Sequence, residues 1–132
     1  MAHKQARPLS PHLTIWKWGP AMTVSILNRA MGIGLATVGV AAITWWLVAL
    51  ASGPEAYDSF LTCARGWMGM VVTIGLSFAF FFHLLGGLRH FVLDAGAGFE
   101  LTTNRNWSWA VIAGSAMLTA ILWLAIYGKE LI

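Results

Sequence analysis

Charge is scarce in this sequence, and the few charges are grouped. Eight lysines and arginines and five aspartates and glutamates are spread over 132 residues, leaving long apolar stretches with none. Hydrophobic residues at 58% against 10% charged exclude an ordinary soluble domain, which needs a polar shell. The only cysteine is Cys63, so an internal disulfide and a multi-thiolate metal site are both excluded, and by itself it reads as a spare thiol near a loop. CxxC, HExxH and phosphate-loop patterns are missing. Hydrolytic and phosphate chemistry therefore have no signature, and any catalysis would depend on bound groups. The net charge of +3 is too small to point to nucleic acid. Lys4, Arg7, Lys17 and Arg29, ahead of the first apolar run, suit anionic lipid headgroups instead. No apolar core precedes a small-residue cleavage site in the first twenty residues, so no cleavable signal is expected and the first span would direct insertion.

What the sequence does contain is three uncharged blocks long enough to cross a bilayer. The expected fold is an all-α integral membrane protein with three transmembrane helices. A polar, basic arm occupies residues 1–19 and a three-helix domain residues 20–132, with spans at about 30–51, 66–88 and 107–127. Proline is tolerated in the first turn of a helix, so the first helix is expected from Pro20 to about Ala51. That is roughly 32 residues or ~48 Å, longer than the ~30 Å hydrocarbon core, so its first turns stand outside the lipid tails. Ser52 to Asp58 falls in the first loop. The second helix runs from about Gly66 to Arg89 or somewhat beyond, and the third from about Trp107 to Tyr127. Lysine and arginine favour the amino-terminal side and the second loop, which places the amino terminus in the cytoplasm and the carboxyl terminus outside. Ser25, Arg29, Arg89, His90 and Asp94 then gather at the cytoplasmic face, with His83 deeper. Three helices hide a polar cavity poorly, so a partner subunit completing the bundle is expected.

His83 is the most informative residue. An ionisable side chain inside a span is costly and marks function by default, and a neutral imidazole is a common metal and haem ligand. On a helix His83, Gly86, Gly87 and His90 follow one another at i, i+3, i+4 and i+7, two imidazoles flanking residues without side chains. That spacing describes a shallow trough in which a flat, metal-containing group could lie. A histidine bonded to a neighbouring helix, with the glycines at a close helix contact, is the competing reading. If an iron there has two axial histidines, the second comes from another polypeptide, because His90 lies too near on the same helix to reach the opposite face. Arg29, Arg89 and His90 form a cationic rim that could pair with carboxylates, or serve only as positive-inside residues. Ser25 and Arg29, four apart, could hydrogen-bond the carbonyl of an amphipathic ligand. For Asp94 an ion pair or a loop-stabilising role is favoured.

Arg7-Pro-Leu-Ser-Pro-His-Leu13, then Ser25-Ile-Leu-Asn-Arg29, then His83 with Gly87-Leu-Arg-His90 and Asp94-Ala-Gly96, together resemble the cytochrome b membrane-anchor subunit of succinate dehydrogenase (respiratory complex II). The resemblance covers nearly the whole chain. It implies half of a heterodimeric anchor bundle in the bacterial inner membrane, with a second three-helix anchor supplying the other axial histidine to a shared haem b. It also implies an iron–sulfur subunit and a flavoprotein subunit, carrying the iron–sulfur clusters and FAD, that pass electrons from succinate to ubiquinone. By motif position His83 corresponds to the haem iron ligand, Ser25 and Arg29 to the quinone site, and Arg29, Arg89 and His90 to the haem edge. Two positions depart from the family pattern: Asn28 stands where histidine is usual, and Met31 where serine or threonine is usual. The resemblance leaves two alternatives open, a haem-free structural anchor that tethers a soluble dehydrogenase and the anchor of a related fumarate reductase. A small transporter is a weaker reading, because His83 is the only ionisable residue within the spans.

Overall fold

The computed structural model describes residues 15–128. Most of the basic arm, with Lys4, Arg7 and the Arg7–Leu13 motif, and Lys129 in the tail lie outside the described residues. The described chain is helical throughout, with short connections: α1 (Pro20–Ser52), α2 (Pro54–Arg65), α3 (Trp67–Asp94) and α4 (Leu101–Tyr127). Of these, α1, α3 and α4 are 33, 28 and 27 residues long and apolar enough to cross a membrane.

Local chemistry sets the boundaries. Helix α1 opens behind Gly19 with Pro20 in its first turn, where a missing N–H costs nothing. The Trp18 indole donates to the Thr23 hydroxyl, which in turn donates to the Gly19 carbonyl at 3.2 Å. One π-helical turn interrupts α1 at Leu35–Gly39. There the Thr37 hydroxyl donates to the Ile33 carbonyl at 2.8 Å, satisfying an acceptor beside the widened turn.

Two features of the connections differ from the sequence reading. The segment assigned to a loop after Ser52 is broken only at Gly53, whose φ of 106° glycine alone adopts readily, and then continues as α2. Pro54 in the first turn, Glu55 beside it and Arg65 in the last turn are all favourable for a helix, the acid at the positive end and the base at the negative end. Phe60 of α2 packs edge-on against Trp45 of α1, ring centroids 5.0 Å apart. Helix α4 begins at Leu101, six residues before the expected Trp107, because its first turns are polar helix ahead of the apolar run. An apolar stretch marks the lipid-facing length of a helix, not its hydrogen-bonded length.

The three long helices meet around Val24, Phe82 and Val111, all buried, with Leu27, Met31, Phe78, Leu85 and Ile112 packed against them. Small residues bring α4 close: Ser108 and Ser115 are fully buried, their hydroxyls donating to the carbonyls of Asn104 and Val111 four residues back. Such side chains cost no unsatisfied polar group and permit close helix approach in lipid. The core is narrow. Only 11, 11 and 17% of the apolar stretches of α1, α3 and α4 are buried within the chain, so most of their surface is left for lipid or for other subunits.

Candidate functional site

The expected trough on α3 divides in two. Gly86 is buried and turned toward α1, where the Asn28 side chain fills the space a Cβ would need; an added Cβ would come within 2.8 Å of Asn28 Cγ. Gly87 is different, because a Cβ there would meet nothing within 4 Å. With 100° between successive residues, His83, Gly87 and His90 form one stripe, Gly86 lies to its α1 side and Arg89 farther round. His83 and His90 are both exposed on that stripe.

His83 is held from behind. Its Nδ1 lies 3.1 Å from the backbone carbonyl oxygen of Asn28 in α1. A carbonyl can only accept, so Nδ1 carries the proton and Nε2 keeps the lone pair. Nε2 makes no hydrogen bond among the described residues. The ring also lies against Gly32, where an added Cβ would stand 2.8 Å from Cε1. Asn28 and Gly32 of α1 thus face Gly86 and His83 of α3 in reversed order, as antiparallel neighbours do. Asn28 is buried in that contact, and its Oδ1 has no hydrogen-bond partner among the described residues.

The cationic rim is not a single cluster. Arg89 is 6% exposed, and its Nη2 donates to Asn104 Oδ1 on α4, so the guanidinium is drawn into the α3–α4 interface. Arg29 is exposed and Ser25 half-buried on α1. Ser25 stands apart from the other described serines, Ser52, Ser59, Ser77, Ser108 and Ser115, whose hydroxyls all turn back onto a carbonyl four residues earlier. The Ser25 hydroxyl makes no such bond, and among the described residues it has no hydrogen-bond partner. Asp94 is the exposed last residue of α3.

Gly32 and the Asn28 carbonyl escaped the sequence reading. The available signal was a glycine four residues after Asn28, but its partner is 51 positions away on another helix. Among the described residues no three His, Cys, Asp or Glu side chains converge to enclose a metal ion. What this chain offers a metal is one preoriented imidazole nitrogen beside an open patch of backbone at Gly87. That donor set suits a group such as haem b, for which a histidine imidazole is a common ligand.

The chain is similar over most of its length to known proteins. The family model for the succinate dehydrogenase/fumarate reductase transmembrane subunit matches residues 3–122. The succinate dehydrogenase cytochrome b556 subunit of Paracoccus denitrificans is 41% identical over 121 residues, covering 92% of each chain. The subunits of the same name from Rickettsia conorii and Rickettsia felis are 37% and 36% identical, each over 89% of this chain and 91% of the relative. The matches run from the basic arm into the last helix, and on their extent this chain belongs to the succinate dehydrogenase/fumarate reductase transmembrane subunit family.

Proposed function

We propose that this chain anchors a succinate:ubiquinone oxidoreductase in the bacterial inner membrane, ligates haem b through His83 Nε2 and helps to form the quinone site with Ser25 and Arg29. The observation that carries the ligand role is the bond from His83 Nδ1 to the Asn28 carbonyl at 3.1 Å. It fixes the tautomer a metal ligand requires, and an acceptor on the far nitrogen makes the near one a better donor. The name cytochrome b556 that the relatives carry supports the same reading. When bound, the haem supplies a one-electron store within the bilayer. Arg29 and His90, both exposed, are the residues that would pair with its propionates. Arg89 takes the structural part of holding α4 against α3.

Ser25 and Arg29 act on the substrate rather than on the haem iron. Both lie in the turns of α1 that overhang the hydrocarbon core, where a quinone headgroup leaves the lipid tails. A hydroxyl and a guanidinium there donate hydrogen bonds to a quinone carbonyl, which hold the ring and favour charge arriving on its oxygen. Electrons come from partner subunits, the iron–sulfur protein and the flavoprotein with its FAD. A second membrane anchor covers the His83 stripe and would supply a further histidine to hold the haem. The amino terminus faces the cytoplasm.

Substitution of His83 tests the assignment. In the purified complex His83→Ala loses most or all of the reduced b-type absorption band. An unchanged band and unchanged haem content would reject axial ligation by this chain and favour a haem-free anchor.

A further inference from the structure

We propose that Gly32 is the positioning residue for His83, because the missing side chain uncovers the Asn28 carbonyl on the flank of α1. The inference rests on the reading of His83 as an axial ligand. In an α-helix the carbonyl of residue i accepts the N–H of residue i+4, and the Cβ of residue i+4 leans back toward the amino terminus over that same oxygen. For Asn28 the residue four ahead is Gly32, so the oxygen's second lone pair can be approached from the side. His83 Nδ1 approaches it there, at 3.1 Å.

The same absence makes room for the ring. A Cβ at position 32 would stand 2.8 Å from Cε1, 3.2 Å from Nδ1 and 3.6 Å from Nε2. Contacts that short force something to move, and the imidazole, at the end of a rotatable side chain, moves more easily than the helix backbone. Alanine at position 32 therefore turns or lifts the ring off the carbonyl without removing the ligand. Two other glycines serve as comparisons. A Cβ at Gly34 meets nothing within 4 Å, and the three atoms nearest one at Gly86 all belong to the Asn28 side chain in the same helix pair.

Losing the Nδ1 bond makes Nε2 a weaker donor, which favours the reduced iron and raises the midpoint potential. Purified complexes carrying Gly32→Ala, Gly34→Ala, Gly86→Ala and His83→Ala are compared by haem content, potentiometric titration and the low-spin EPR signal of the oxidised haem. The expected result is that Gly32→Ala keeps its haem, with an upward shift in potential and altered g-values, while Gly34→Ala and Gly86→Ala match the wild type in both. A Gly32→Ala complex with the wild-type potential and g-values would overturn the proposal. So would the same shift in Gly86→Ala, because helix separation alone would then account for it. Loss of haem in His83→Ala beside a silent Gly32→Ala rejects the positioning role alone, whereas an intact spectrum in His83→Ala rejects the ligand reading and the positioning role with it. If Gly32→Ala fails to assemble, the wild-type complex decides. With this chain alone carrying 15N-histidine, the hyperfine-shifted ligand resonance keeps its Nδ1 proton after transfer to D2O. Immediate exchange at that nitrogen would overturn the proposal.

Discussion

Arg29 and Arg89 carry the same charge on neighbouring helices, and their surroundings give them different work. Arg29 is exposed one helical turn from a serine hydroxyl that has no bond among the described residues, and Arg89 is buried with its guanidinium on Asn104. A charge-assisted hydrogen bond to a ligand contributes about 1.5–3 kcal/mol, so Arg29→Ala is expected to lower quinone reduction roughly 10- to 100-fold. Dye-linked succinate oxidation by the same complex should persist, and parallel assays with the two acceptors check this. Asn104→Ala acts elsewhere. It leaves a buried guanidinium short of an acceptor at a cost of about 1–3 kcal/mol. The expected reading is a lower thermal midpoint of the complex with an unaltered haem spectrum. An altered spectrum at unchanged stability would return Arg89 to the haem edge. Sequence order alone groups these two arginines. Their separation depends on which flank of a helix each occupies and on a partner contributed by α4.

Among the elements, α1 is the one with an irregularity at its centre. The π turn at Leu35–Gly39 closes over one more residue than an α turn. Deleting the exposed Ala36 should therefore let the helix close into regular α geometry while both flanks keep their faces. Deleting Ile43 from the regular part turns everything beyond it by about 100°. Membrane extracts run on native gels should contain assembled complex for the first deletion and much less for the second. The long helices were legible in the sequence because each contains a long apolar stretch without charge. Helix α2 was hidden because Gly53 and Pro54 mark a chain break equally well whether a loop or another helix follows. The polar start of α4 was hidden because a hydropathy criterion stops where charge begins. His83 stood out for the reverse reason, as a lone ionisable group in an apolar run. Its two flanking glycines read alike in one dimension, and only the position of α1 tells the packing glycine, Gly86, from the open one, Gly87.

As a whole molecule the chain is a partial bundle, its spans mostly uncovered by its own residues. Its orientation can be read with the one thiol it has. Cys63 is exposed near the end of α2, on the side expected to face away from the cytoplasm. A membrane-impermeant maleimide should label it in intact spheroplasts, whereas a cysteine introduced at Ala97, in the turn between α3 and α4, should react only after the membrane is opened. The reverse pattern would invert the proposed topology. The contact between Asn28 and Gly86 has a further consequence, on the scale of lineages. Position 28 can be filled inward only while position 86 has no side chain, so the two sites are not free to drift apart. A descendant that gained a side chain at 86 would have to turn residue 28 away from it.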